Sequence, residues 1–232
     1  MLDKLHVVNF SGGKDSTAML LMMLERGMPV DEIVFCDTGK EFPQMYEHIA
    51  EVERYTGRKI TKLQAERGFD YWFKDHVITR GKRKGWKGWG WPGYRFRWCT
   101  GRLKVDVINK YFKGKNTVHY IGIAADESQR CKGNGEQYPL VGWGITEPEA
   151  LQYCYDKGFD WGGLYEQFCR VSCYLCPFQR IGALKVLYTH YPELWAEMQK
   201  LDKYSRIEFK HGYPLDELTA MFAKETGIVH KI

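Results

Sequence analysis

Short apolar runs alternate with segments of helical periodicity along the first half of the chain. Leu5 to Phe10 is apolar enough to predict a strand. Thr17 to Arg26 follows with helical spacing and stops at Gly27, a residue type suited to the left-handed position after a helix. Met19, Leu20, Met22, Met23 and Leu24 cover more than one face, so this helix should be well buried. Glu32 to Cys36 predicts a second strand. Pro43 opens a second helix, through Met45, Ile49, Val52 and Tyr55 to Gly57. Ile60 to Leu63 and Val118 to Ile123 predict two further strands, and Tyr71 to Thr79 is a short helical pattern. Thr146-Glu147-Pro148-Glu149 reads as a capping box opening a helix to Gly158. From Ile181 the pattern is helical: Leu184, Leu187, Leu194, Met198 and Leu201, with Pro192 restarting it, then Leu215, Leu218, Met221 and Phe222.

Strands alternating with helices predict an α/β fold with a parallel sheet. In such sheets ligands bind beyond the carboxyl ends of the strands. Chemistry-bearing residues stand at two of those ends. After the first strand comes Ser11-Gly12-Gly13-Lys14-Asp15-Ser16. Its glycines allow a sharp turn and a close backbone approach to a ligand. The first amides of the next helix favour an anion, to which Lys14 adds a point charge and Ser11 and Ser16 add hydroxyls. The stretch reads as a phosphate cradle, although it lacks the spacing of a Walker loop. After the second strand comes Asp37-Thr38-Gly39. Taken alone, that turn serves equally well as a cap for the second helix.

The strand, Ser-Gly-Gly-Lys-Asp-Ser and helix sequence resembles the PP-loop of the ATP pyrophosphatase superfamily, and most of all its phosphoadenylyl-sulfate (PAPS) reductase branch. Three later stretches extend the resemblance. Val34 to Pro43 is similar to the family's second motif. Trp98-Cys99-Thr100-Gly101-Arg102-Leu103-Lys104 is similar to its cysteine-containing motif, with Thr100 where cluster-bearing reductases have a second cysteine. Gly122 to Arg130 is similar to its Gly-x-x-x-x-Glu-Ser-x-Arg motif. The resemblance implies a Rossmann-like parallel sheet with helices on both faces, plus a small Cys-rich C-terminal subdomain. The nucleotide-binding part should span residues 1–145, and the metal-binding and helical part residues 146–232, of one globular unit.

The resemblance also implies the site. Ser11, Gly12, Gly13, Lys14, Asp15, Ser16, Asp37, Thr38, Gly39, Lys104, Glu127 and Ser128 would hold ATP or an adenylyl sulfate, with magnesium as an accompanying ion. Lys14, Asp15 and Arg130 would act in catalysis; Arg130 offers a planar fork suited to phosphate or sulfate. Arg102 and Lys104 are either phosphate contacts or the solvated face of an amphipathic helix with Leu103, Val107, Ile108 and Tyr111 inward.

Seven cysteines argue for metal or redox chemistry if the protein is cytoplasmic, as expected from a charged N-terminus with no signal peptide and no apolar run of membrane-spanning length. Cys169, Cys173 and Cys176 form C-x3-C-x2-C. Tight spacing on a loop lets thiolates converge on one ion. Family resemblance adds Cys99, so Cys99, Cys169, Cys173 and Cys176 are expected to hold a four-iron, four-sulfur (4Fe-4S) cluster, with zinc as the alternative. Cys36, Cys131 and Cys154 read as structural, and His190 and His211 as packing or surface residues.

Composition adds one more feature. Of the 232 residues 44% are hydrophobic and 15% aromatic, enough for one sizeable core, and the formal net charge is +5. That charge is local: every residue from Arg80 to Trp98 is basic, aromatic, Gly or Pro, and seven are Lys or Arg. Such a stretch suits a polyanion with unpaired bases, hence a nucleic acid partner, or a lid over the nucleotide's own phosphates. Its tryptophans could equally fold back on the core.

The resemblance implies nucleotide chemistry at the α-phosphate, for which two activities compete, beside a third reading that is not enzymatic. One is adenylation or pyrophosphate cleavage at the α-phosphate of ATP, used for sulfur transfer to nucleic acid. A second is reduction of an adenylyl sulfate with an external thiol or sulfur donor protein; no cysteine follows Cys176 to serve as a tail nucleophile. The third is a nucleotide-gated nucleic-acid-binding module without turnover.

Overall fold

The computed structural model describes residues 4–133 and 135–230. The chain divides into two compact units, each assembled from separated segments. The first comprises residues 1–37, 42–64 and 106–165, and the second residues 38–41, 65–105 and 166–232. The division expected at residues 145–146 is therefore not where compactness separates the chain: the middle of the sequence, 65–105, packs with the C-terminal helices.

The first unit is built on a four-stranded parallel sheet flanked by helices. Its strands are β1 (Leu5–Asn9), β2 (Glu32–Asp37), β3 (Ile60–Gln64) and β4 (Thr117–Ile121), in the order β3-β2-β1-β4. Register is set by Val8 opposite Ile33 and Tyr120, and by Val34 opposite Thr61. The central strands are apolar on both faces, as a covered parallel sheet requires. Val7, Val8, Ile33, Val34 and Phe35 are all buried. Helix α1 (Lys14–Glu25) buries nine of its twelve residues, so the expectation of a helix apolar on more than one face holds. It begins three residues earlier than its apolar pattern. Gly13 is extended (φ −78°, ψ 168°) and acts as its N-cap, which draws Lys14, Asp15 and Ser16 into the first turn.

Helix α2 (Pro43–Thr56) starts at the proline and ends at Gly57 in the left-handed conformation, as its end signals predict. The capping box at Thr146 is present: Thr146 N–H donates to Glu149 Oε2 at 2.8 Å, opening the helix Glu147–Asp156. Along Asp106–Tyr111, Val107 and Ile108 pack on a core of Val7, Val34, Cys36, Leu63 and Phe112. Tyr111, expected inward, is 39% exposed because its hydroxyl donates to Glu32 Oε1 at 2.6 Å.

The second unit contains the three predicted C-terminal helices, Ile181–His190, Pro192–Asp202 and Leu215–Thr226. They meet through Tyr188, Trp195 and Phe222, each at most 1% exposed. Tyr71–Asp75 forms one short π-helical turn, which ends before the helical pattern that runs to Thr79. Residues 80–97 carry almost no regular structure, as their glycine content predicts. No helix among the described residues is long and apolar enough to cross a membrane.

Candidate functional site

The phosphate-loop residues occupy the link between β1 and α1. Phe10 N–H donates to Val34 O at 2.9 Å, tying the start of the loop to β2. Gly12 has φ +80°, and a Cβ there would lie 2.3 Å from Met45 Sδ, so both backbone and space require glycine. Ser16 Oγ closes the loop on itself: it donates to Gly13 O at 3.0 Å and accepts from Ser11 N–H at 3.2 Å. Thr17, fully buried, pairs its hydroxyl with His48 Nε2 at 2.9 Å. Burial pushes His48 down to about 3, so the ring is neutral at physiological pH.

Lys14 does not extend freely from the loop. Its Nζ lies 2.7 Å from Glu147 Oε1 and 3.2 Å from Asp15 Oδ1, with its side chain 8% exposed. Its backbone N–H donates to the Tyr165 hydroxyl at 2.8 Å. Asp15 is pushed up to about 6, chiefly by burial, against the pull of Lys14; Glu147 and Glu127 add to the rise. The first turn of α1 thus presents a cation held between carboxylates and one carboxyl that titrates near neutrality.

The other predicted nucleotide residues have varied surroundings. Asp37 ends β2, beside the carboxyl end of β1, and its carboxylate accepts from Tyr46 Oη at 2.8 Å and Gln64 Nε2 at 2.9 Å. Glu127 and Ser128 lie in the short turn Ala125–Arg130 beyond β4. There Arg130, 59% exposed, pairs with Glu127. Asp126 Oδ1 accepts the Glu147 N–H at 3.0 Å, joining that turn to the helix whose first residue holds Lys14.

Thr38, Gly39 and Lys104 fall in the second unit. Thr38 Oγ1 donates to Glu41 Oε1 at 3.0 Å. The adjacent Lys40 is buried and paired with Asp70 at 3.1 Å and with Glu197, a network the sequence did not signal. Lys104 lines a cavity together with Cys99, Cys173, Cys176, Arg97 and Arg170.

Three of the four cysteines expected to bind metal therefore share one cavity. No group of three His, Cys, Asp or Glu among the described residues is arranged to hold an ion. Cys169 is exposed and outside the cavity lining. The Cys173 thiol donates to Glu41 Oε1 at 3.3 Å, where burial and then that carboxylate push it well above the usual thiol range. Burial likewise raises Cys99. With Cys169 outside the cavity that the other three line, a 4Fe-4S cluster or a four-thiolate zinc is not shown. Cys36 and Cys154 are buried in the first unit, as structural thiols should be.

The basic aromatic stretch divides into buried and open parts. Trp91 and Trp98 are 2% and 3% exposed. Their indoles donate to Asp202 Oδ1 at 2.6 Å and to Gly90 O at 3.0 Å. At Gly88 (φ +72°) a Cβ would sit 2.1 Å from Phe73 O, so this glycine serves close packing. Trp89 stacks on Trp72, with centroids 4.8 Å apart and planes at 16°, and the exposed Arg102 lies over both rings. Arg83 and Arg206 each lie over the Trp86 ring. Tyr94 (87%) and Phe96 (49%) face solvent among Arg95 and Arg97. The six aromatics of the stretch thus divide into two buried rings, two exposed rings and two tryptophans with an arginine over the ring.

Residues missed in sequence are Trp161, Tyr165 and Glu147. Trp161, 1% exposed, donates its indole N–H to Gly12 O at 2.7 Å. It stacks on His48 at 4.3 Å and meets Tyr165 edge-on at 4.8 Å. The only available signal was Asp160-Trp161-Gly162-Gly163, a turn-forming run holding a tryptophan.

A family model for the phosphoadenosine phosphosulfate reductase domain matches residues 5–183. A Methanocaldococcus jannaschii protein, MJ0066, is 27% identical over 219 residues, covering 84% of this chain and 41% of that protein. The nin region protein ORF290 of Escherichia phage lambda is 32% identical over 178 residues, covering 64% of this chain and 61% of its own length. The chain thus spans less than two thirds of the length of either relative. A solved phosphoadenylyl-sulfate reductase from Candida auris, in a phosphate complex, shares the fold at TM-score 0.50 and 16% identity, covering 72% of this chain and 80% of that one. The match over residues 5–183 takes in the phosphate loop, the β2 and β4 turns and the cysteine run alike, and the chain belongs to the phosphoadenosine phosphosulfate reductase domain family.

Proposed function

We propose that this protein binds ATP or an adenylyl nucleotide at Ser11–Ser16 and acts at its α-phosphate. The observation that carries this reading is the closed loop at the carboxyl end of β1, with Gly13 capping α1 and Asp37 ending the neighbouring strand. A helix N-terminus with serine hydroxyls is a receptor for phosphate oxygens. In the reaction an acceptor oxygen or sulfur attacks the α-phosphorus. The bond to the β-phosphate breaks, and pyrophosphate leaves with its electron pair. Asp15, pushed up to about 6 by burial, would take the acceptor's proton. Magnesium would travel on the phosphates.

The acceptor proposed is nucleic acid. Support comes from residues 65–105, with eleven Lys or Arg against three Asp or Glu, and from the exposed Tyr94 and Phe96 among them. A sulfur or thiol donor protein would supply the transferred sulfur.

The deciding experiment incubates the protein with ATP and, separately, with adenylyl sulfate plus a dithiol protein. Pyrophosphate from the first, raised by added RNA or single-stranded DNA, supports adenylation. Sulfite from the second with no pyrophosphate from the first would make the protein a reductase. Binding of both ligands without turnover would make it a nucleotide-gated binding module.

A further inference from the structure

We propose that Trp161 is a positioning residue for the phosphate loop, holding the Gly12–Gly13 peptide in the orientation that receives an anion. The inference rests on the reading of Ser11–Ser16 as the nucleotide site.

Its starting point is a backbone outlier. Trp161 has φ +55°, the only non-glycine residue with positive φ among those described. A bulky side chain rarely adopts this conformation, and where one does the surroundings must impose it. Here they do. Asp160 Oδ1 accepts the Gly162 N–H at 2.8 Å and fixes the turn. The indole is fully enclosed, stacked on His48 and edge-on to Tyr165. The conformation directs Nε1–H at Gly12 O, 2.7 Å away.

The consequence follows from peptide geometry. In a trans peptide the carbonyl and the next N–H point in opposite directions. Drawing Gly12 O towards Trp161 therefore turns the Gly13 N–H the other way. Two consecutive glycines are the pair freest to flip that peptide. A flip would exchange a donor for a carbonyl oxygen at the loop and repel a phosphate. The Trp161 bond holds the donor orientation before any ligand arrives, so none of the ligand's binding free energy goes into turning the peptide.

Neighbouring contacts fit this role. Tyr165 Oη accepts the Lys14 N–H at 2.8 Å, the amide following Gly13. Cys154 Sγ lies 3.5 Å from Lys14 O. Successive loop peptides thus each have a partner within residues 154–165.

The test compares Trp161→Phe, which keeps an aromatic ring and loses the donor, with Trp195→Phe, which removes a buried indole donating to Thr219 in the second unit. ATP and inorganic pyrophosphate are titrated by calorimetry, and the melting temperature of each variant is recorded. The expected result is at least tenfold weaker binding of both ligands in Trp161→Phe, and unchanged binding in Trp195→Phe at a comparable loss of melting temperature. Asp160→Ala, which loosens the turn and keeps the indole, should show about a threefold loss, and it carries the test if Trp161→Phe does not fold. Trp161→Gly, free of the backbone demand, should also bind weakly; wild-type affinity there would overturn the inference. Affinity within twofold of wild type in Trp161→Phe, or an equal loss in Trp195→Phe, would overturn it too while leaving the nucleotide site standing. A wild-type protein that binds neither ligand would overturn both.

Discussion

The ammonium of Lys14 lies 2.7 Å from Glu147 Oε1, so the loop's own cation is already paired inside the first unit. Glu147 is 40% exposed, and the pair's net contribution to stability is about 1 kcal/mol or less. Its effect on anion binding is larger in proportion, because a carboxylate beside the loop repels phosphate. Glu147→Gln should tighten ATP binding about three- to tenfold at low salt, with the gain shrinking above the screening range. Calorimetry at two salt concentrations measures this. Weaker binding in Glu147→Gln would mean that the carboxylate positions Lys14 for the ligand.

Asp15 gives the site a pH signature. Its carboxyl is raised to about 6 in the folded protein, above the unfolded value of 3.8. The folded state therefore holds its proton more tightly, and stability from this group is present at low pH and lost as pH rises through 6. Asp15→Asn should remove that loss and raise stability at pH 7 by about 1–2 kcal/mol, discounted for partial exposure. ATP affinity of the wild type should rise as pH falls from about 7.5 to about 5.5, with a midpoint near 6, and the profile of Asp15→Asn should be flat. A variant that keeps the wild-type profile would place the titrating group elsewhere.

The cysteines should differ sharply in reactivity. Cys169 is exposed, whereas Cys36 and Cys154 are buried and Cys173 is held by Glu41 and Thr38. Brief alkylation followed by mass spectrometry should mark Cys169 first and leave Cys36, Cys154 and Cys173 among the last. Joint protection of Cys99, Cys169, Cys173 and Cys176, released by a chelator, would contradict the arrangement and restore a metal centre.

The exposed aromatic residues supply a test of the nucleic acid partner that leaves the core untouched. Tyr94→Ala with Phe96→Ala should weaken single-stranded oligonucleotide binding by about 1–3 kcal/mol per stacked base, without changing its salt dependence. Replacing Lys82, Arg83, Lys84 and Lys87 together should instead lower the slope of log K against log salt by about 0.7 for each phosphate no longer neutralised. Fluorescence anisotropy at three salt concentrations separates the two effects. No binding by the wild type at low salt would exclude nucleic acid as the acceptor.

How much of the structure was legible in the sequence depended on how local each signal is. β1, β2 and β3 lie where short apolar runs placed them, and α2 ends at Gly57 because a left-handed cap is a one-residue property. The start of α1 was misplaced by three residues, since Lys14, Asp15 and Ser16 carry no apolar period and Gly13 caps by conformation alone. The site was only half legible. Its loop is contiguous, but Glu147, Trp161 and Tyr165 reach it from more than 130 residues away, and no periodicity records such a contact. The cysteine run was legible only as spacing. Spacing along the chain does not say which way a thiol turns, and Cys173 turns to Glu41 and Thr38. In the basic stretch the alternation of charge and ring was visible, but not that Trp91 and Trp98 are core residues of the second unit.

Everything proposed for the reaction depends on an adenine nucleotide sitting at the amino end of α1, and the hydrogen-exchange footprint of bound ATP reports that placement. Peptides covering residues 9–17 should exchange markedly more slowly with saturating ATP than without, and peptides from the helix Leu215–Thr226 should be unchanged. Binding of ATP with no slowing at residues 9–17 would contradict it.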